Sequence, residues 1–192
     1  MVTQMEGWLP RHRITVDEYY RMAEVGLLAH DARVELIEGE IIDMAPTGSR
    51  HAASVDRLAQ LFQRNVGVRA TVRVRGPVRL SATSEPQPDI ALLRPRDDFY
   101  ESNHPTALDT LLIIEVSDTT FRYDRQVKVP LYARHGVPEV WVVDLKDRLL
   151  HFFRAPAGGE YTDISSVSEP AEIEFAALPG CAIDLSGVLG GG

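Results

Sequence analysis

Two acidic residues stand beside uninterrupted aliphatic runs. Asp89, after Pro88, opens Ile90-Ala91-Leu92-Leu93, and Glu115 follows Leu111-Leu112-Ile113-Ile114. Such a run reads as a strand buried on both faces of a sheet. A carboxylate at its end is costly to ionise unless a cation, a metal ion or several donors meet it. Two of them at the ends of adjacent strands would suit magnesium, which takes one or two carboxylates and fills the rest of its octahedron with water and phosphate oxygens. An ion held there would polarise a phosphoryl oxygen and lower the pKa of an attacking water, as phosphodiester hydrolysis requires. A lysine ammonium beside the pair would stabilise developing charge or orient the water. Lys128, on the helix expected after the Glu115 strand, is one of only two lysines; the other, Lys146, falls in a solvated turn.

Each residue also has a plainer reading. Asp89 would cap a turn, and Glu115 would be half of a buried ion pair. Lys128 lies four residues after Asp124, the spacing of an ordinary helical ion pair. Ser117 shares a strand face with Ile113 and Glu115. No G-x-S-x-G elbow surrounds it, so it reads as a hydrogen-bonding group at the strand end. His51 sits where a helix begins, and its ring is a candidate for a place behind a metal ligand or beside substrate. The six histidines show no zinc-ligand spacing.

The elements that must position these residues follow from pattern. Thr15 and Glu18 fit a capping box, followed by an apolar face of Tyr19, Met22, Ala23 and Leu27. VELIEGEIIDMAP reads as two short strands about a Glu38-Gly39 turn. From Ser49, Val55, Leu58, Ala59, Phe62 and Val66 recur at helical spacing, while Arg50, Arg57 and Arg64 keep close to one exposed stripe. Alternation from Val72 to Leu80, interrupted at Pro77, predicts a half-buried strand with an arginine-rich face. Pro130 would kink the Lys128 helix or mark its restart, and Gly136-Val137-Pro138 would end it. Val140–Val143 is expected as a buried strand, Leu149–Phe153 as its partner and residues 172–175 as an edge strand, with the glycines at 190–192 a flexible tail.

At 192 residues, with 44% hydrophobic and 25% charged residues, the chain suits one soluble α/β domain spanning 1–192. No apolar run reaches the roughly 20 residues of a membrane span. The single cysteine, Cys181, excludes an internal disulfide and points to the cytoplasm. A net charge of −8 argues against a broad nucleic-acid-coating surface but leaves room for a local basic groove.

The order Pro88-Asp89, an apolar strand ending in Glu115, then Lys128 resembles the PD-(D/E)xK nuclease superfamily. VELIEGEI, the helix opened by His51, PQPDIALL, IIEVSDTT and DRQVKVPLYARHGVPEVWVVD are similar to its bacterial Uma-type family of restriction endonucleases, over about residues 15–165. The resemblance implies a restriction-endonuclease-like core, a mixed central β-sheet flanked by α-helices. It implies a magnesium-dependent endonuclease, with manganese able to substitute, acting on nucleic acid and DNA first. Asp89 and Glu115 would hold the metal, Lys128 would supply the ammonium, and Glu35 would approach the site. Most superfamily members carry the lysine two residues after the glutamate, where this chain has Ser117; the lysine is therefore expected to be displaced to position 128. A homodimer is expected from the apolar Leu149–Phe153 segment and from the twofold geometry of cutting a duplex. Two rivals stand beside this reading. One is a catalytically silent dimerising or nucleic-acid-binding module of the same fold, and the other a metal-independent hydrolase using Ser117 and a histidine.

Overall fold

Six strands form one sheet in the order β3-β4-β5-β6-β7-β8. They are β3 (Thr71–Val74), β4 (Ile90–Leu93), β5 (Thr110–Ser117), β6 (Glu139–Asp144), β7 (Leu149–Ala157) and β8 (Glu160–Val167). This computed structural model describes residues 10–29, 31–175 and 177–189; the glycines at 190–192, read above as a tail, lie outside them. Only β5 and β6 pair in parallel, with every other neighbour antiparallel. A parallel pair needs a crossover, and here it is α3 (Phe121–Tyr123), a π-helical turn (Asp124–Lys128) and α4 (Val129–Arg134) in succession. The fold is thus the mixed sheet with flanking helices that the sequence implied.

Both faces of the sheet are covered, which explains why β4, β5 and β6 carry unbroken apolar runs. On one face, Val55, Leu58 and Phe62 of α2 (Ser49–Val66) pack on Ile90, Leu112, Ile114, Trp141 and Val143. On the other, Val129, Tyr132 and Ala133 of α4 pack on Ile113, Val140 and Val142. Residues two apart on a strand share a face, so Ile113, Glu115 and Ser117 all look toward the crossover. A small hairpin, β1 (Val34–Ile37) and β2 (Glu40–Asp43), turns at Glu38-Gly39 as expected. Leu36 of β1 accepts the Glu85 N–H at 2.8 Å, which ties the hairpin to the loop before β4.

Several expectations need correction. The helix α1 (Val16–Glu24) has its Thr15/Glu18 capping box, but it buries only Val16 and leaves Ala23 and Leu27 exposed. The strand expected to run to Leu80 stops at Val74. Arg75 adopts a left-handed φ of 50°, which breaks the pleat, and Val78 is buried in the loop beyond. Residues 172–174 do not edge the main sheet; β9 (Glu172–Glu174) pairs with β10 (Ala182–Asp184) in a separate ribbon, and β8 takes the edge. The Leu149–Phe153 segment lies inside the sheet between β6 and β8, so it offers no apolar surface to a second copy. The arginine stripe is exposed as expected at Arg50, Arg57 and Arg64, and Arg50 also donates to the Leu145 carbonyl and sits 3.6 Å from Asp118. Among the described residues no helix is long and apolar enough to cross a membrane.

Candidate active site

The strand register brings the two carboxylates together. Ala91 pairs with Ile113 and Ile90 with Ile114, so the next step sets Asp89 opposite Glu115 on the face of the crossover helix. A cross-strand pair of that kind has its Cβ atoms roughly 5 Å apart. The hairpin delivers Glu35 to the same place. Its Oε2 accepts the Gln87 N–H at 2.9 Å, two residues before Asp89, and its Oε1 accepts the Tyr123 hydroxyl at 3.1 Å. All three line a cleft of about 700 Å³, together with His51, Asp124 and Lys128.

Lys128 is not paired with Asp124, the plainer reading of its spacing. Its ammonium, buried with the residue 3% exposed, lies 2.8 Å from Glu115 Oε1 and 3.4 Å from Glu35 Oε2. The turn that carries it closes with the Val129 N–H donating to the Asp124 carbonyl, an i→i+5 bond. Such π-turns change the direction of side chains within a helix and recur at functional sites. Here the turn buries both Asp124 and Lys128, and Pro130 restarts the α-helix just after it. Ser117 behaves as expected of a strand-end group: its hydroxyl donates to Asp124 Oδ2 at 2.7 Å, as Thr120 does at 2.6 Å.

Burial and charge set the protonation of this cluster. Burial pushes the Glu115 carboxyl up to about 8, with the Lys128 charge pulling the other way and Asp124 and Asp89 adding repulsion. Burial likewise raises Asp124. It would depress the Lys128 ammonium, but Glu115 and Glu35 outweigh it and hold that pKa well above the ordinary lysine value. A pH dependence follows for the protein without divalent ions. Glu115 ionises near its ordinary 4.3 when unfolded and near 8 when folded, so between those values the folded state binds more protons. Stability therefore falls as pH rises through that window. Urea midpoints in chelator are expected to decline more from pH 5 to 8 for the wild type than for Glu115→Gln. Parallel curves would refute the raised carboxyl.

The donor set fits a divalent ion. Asp89 Oδ2 is pinned by His51 Nε2 at 3.0 Å and the Val116 N–H at 2.9 Å, while Oδ1 has only Arg75 Nε, at 4.0 Å. Glu115 Oε1 takes the Tyr132 hydroxyl at 2.6 Å as well as Lys128, and Oε2 has no hydrogen bond among the described residues. Each carboxylate thus presents one oxygen without a hydrogen bond. No group of three or more His, Cys, Asp or Glu side chains among the described residues is arranged to hold a metal. Two carboxylates, with water and phosphate oxygens completing the shell, would suit magnesium.

The structure therefore brings Asp89, Glu115, Lys128, Glu35 and His51 into one cleft wall, with Ser117 buried behind it on Asp124. Sequence reasoning missed Tyr132, Asp124, Tyr123 and Gln87. Tyr132 carried a signal, since it follows Lys128 by four residues and so shares its helix face. Gln87 carried none; it holds Glu35 through its backbone N–H and the neighbouring Val34 carbonyl through its side chain, at 3.0 Å.

The profile of the Uma2 family, described as "Putative restriction endonuclease", matches residues 16–186. The chain belongs to this family. The match runs beyond the segment that the sequence motifs marked and takes in the β9–β10 ribbon. Among solved structures, a "putative nuclease" of the DUF820 family from Anabaena variabilis ATCC 29413 is similar in fold, with a TM-score of 0.66. Identity is 19%, over 90% of this chain and 94% of that one. No match was found among curated proteins. Across the Uma2 match lie all six residues singled out above, from Glu35 to Lys128.

Proposed function

We propose that this Uma2 protein is a metal-dependent nuclease that hydrolyses phosphodiester bonds of nucleic acid, DNA in the first place. The observation that supports it most is the pair of carboxylates on neighbouring strands, both lining one cleft, each with one oxygen fixed by protein donors and one without a hydrogen bond among the described residues. Asp89 and Glu115 would hold magnesium, or manganese in its place. When bound, that ion would supply the Lewis acid for the phosphoryl oxygen and the activation of water. The protein's own groups do the rest. His51 and the Val116 N–H hold Asp89 in one rotamer. Tyr132 and Lys128 hold Glu115, and Glu35, anchored by Tyr123 and Gln87, keeps the Lys128 ammonium charged. Lys128 places a compact cation next to the site of charge development. Ser117, committed to Asp124, is not available as a nucleophile, which removes the support for a metal-independent hydrolase.

Isothermal titration with manganese tests the core of this reading. Binding is expected in the wild type, and Asp89→Asn and Glu115→Gln should each largely abolish it while the proteins stay folded. Equal affinity in all three would remove the metal site. A twofold dimer would present two such sites to opposite strands of a duplex; light scattering showing only monomer at micromolar concentration would exclude it.

A further inference from the structure

The edge strand β3 continues the sheet beyond β4 and Asp89. The Arg75 N–H donates to the Asp89 carbonyl at 2.9 Å, so Arg75, Asp89 and Glu115 form one row across three strands. Two residues back, roughly 7 Å along the strand, Arg73 pairs with Ala91 on the same face. Its guanidinium lies over the Tyr100 ring at 5.4 Å and donates to the Phe99 carbonyl at 3.0 Å. The place of Arg73 is built in, because a Cβ at Gly76 would come within 2.8 Å of its Cγ and 2.5 Å of its Cδ. Arg96 stacks on Tyr100 from 4.5 Å, and the Tyr100 hydroxyl donates to the Arg94 carbonyl at 2.6 Å.

Phe99 and Tyr100 both adopt left-handed backbone, with φ of 47° and 63°. That is rare for bulky side chains and characteristic of functional loops. Burial explains Tyr100, which packs with Val78, Ala91 and Leu93. It does not explain Phe99, which is 68% exposed. The charges around it are mixed. Arg96 is engaged by Asp98, and Asp97 and Glu101 are exposed on the loop. Arg73 and Arg94, by contrast, meet no acidic side chain among the described residues, in a chain whose net charge is −8.

We infer that Phe99, with Arg73, is a stacking platform for an unpaired nucleotide of the strand that leaves the cleft past Arg75. The inference rests on the nuclease reading and narrows its substrate to nucleic acid with single-stranded character beside the cut. The chemistry that selects this occupant is the combination of a ring face and cations. A base offers its π-face only when it is unpaired, and its phosphate then lies within reach of an arginine. β3 links the two places, with the Arg75 N–H on the Asp89 carbonyl and Arg73, two residues back, on the Phe99 carbonyl.

Fluorescence anisotropy with a labelled oligothymidylate and with a blunt duplex hairpin, in calcium, tests this on the full-length protein. Phe99→Ala is expected to weaken oligothymidylate binding about tenfold, the scale of losing one base–aromatic stack. It should leave the hairpin within twofold, and Phe99→Trp should bind as wild type does. Arg73→Gln should lower the magnitude of the slope of log affinity against log salt by about 1. Thermal melting is expected to be unchanged for Phe99→Ala, since the ring is exposed. Equal oligothymidylate binding by wild type and Phe99→Ala overturns the platform, as does an equal loss on both ligands or the absence of any binding. A change in oligomeric state with unchanged DNA affinity assigns Phe99 to a protein contact and overturns it too. Normal cleavage by a wild type whose affinity ignores Phe99 sinks the platform alone. Intact binding without cleavage in magnesium or manganese sinks the nuclease reading alone.

Discussion

Lys128→Ala is expected to destabilise the protein without metal by about 3–5 kcal/mol, the range for removing one partner of a buried ion pair. The ammonium lies between Glu115 and Glu35, which are 3% and 2% exposed, so water cannot replace it without opening the core. After the substitution Glu35 keeps Tyr123 and the Gln87 N–H, and Glu115 keeps Tyr132. Neither retains a counter-charge of its own. The measurement is urea unfolding at pH 9, above the value of about 8 at which Glu115 ionises in the wild type; without Lys128 that carboxyl is pushed higher still. Adding Glu35→Gln to Lys128→Ala should recover a large part of the loss, since it removes one uncompensated charge. Lys146→Ala, at an exposed turn, should stay within about 0.5 kcal/mol of wild type. A loss under 1 kcal/mol for Lys128→Ala would mean that the ammonium is solvated and not part of the cluster.

That double role, as counter-ion to two carboxylates and as charge donor to the cleft, was only partly legible in the sequence. Asp89 and Glu115 were legible because their strands are buried on both faces, which leaves an aliphatic run broken by one acid. Their opposition across β4 and β5 depends on register, and no local pattern announces register. Lys128 was reachable by elimination, since only Lys146 competes. The π-turn that directs it was not, because one wider turn leaves no mark on apolar periodicity. The end of β3 was missed for a related reason. Val72, Val74, Val78 and Leu80 keep their alternation, but the left-handed backbone at Arg75 and the Gly76-Pro77 pair take the later residues out of the sheet. The C-terminal ribbon was missed because three-residue strands carry too little pattern to choose a partner. The family likeness, not periodicity, brought Glu35 and His51 into the site, since both sit on elements far from Asp89 in the chain.

Catalysis is where the displaced lysine should matter most. Lys128→Ala is expected to lower metal-dependent DNA cleavage by about a hundredfold or more, the scale of losing one preorganised charge donor. Lys128→Arg should recover little, since a planar fork cannot take the place of a compact ammonium between two carboxylates. The informative variant combines Lys128→Ala with Ser117→Lys. Position 117 lies on the same strand face as Glu115, so the new ammonium enters from the place where the superfamily usually keeps it. The site is fully buried, however, and Ser117 Oγ is 2.7 Å from Asp124 Oδ2, so Asp124 competes for the incoming charge. Recovery is therefore expected to be partial, and Asp124→Asn in that background should increase it by freeing the ammonium for Glu115. Cleavage of plasmid and single-stranded substrates in magnesium and in manganese supplies the rates, and melting curves in the same buffers separate lost chemistry from lost fold. A Lys128→Ala protein that cuts as fast as wild type while Lys146→Ala is dead would transfer the role to Lys146. A wild type that cuts nothing with either metal would leave the Asp89–Glu115 pair as the relic of a silent nucleic-acid-binding module, with Lys128 kept for the stability of two buried carboxylates.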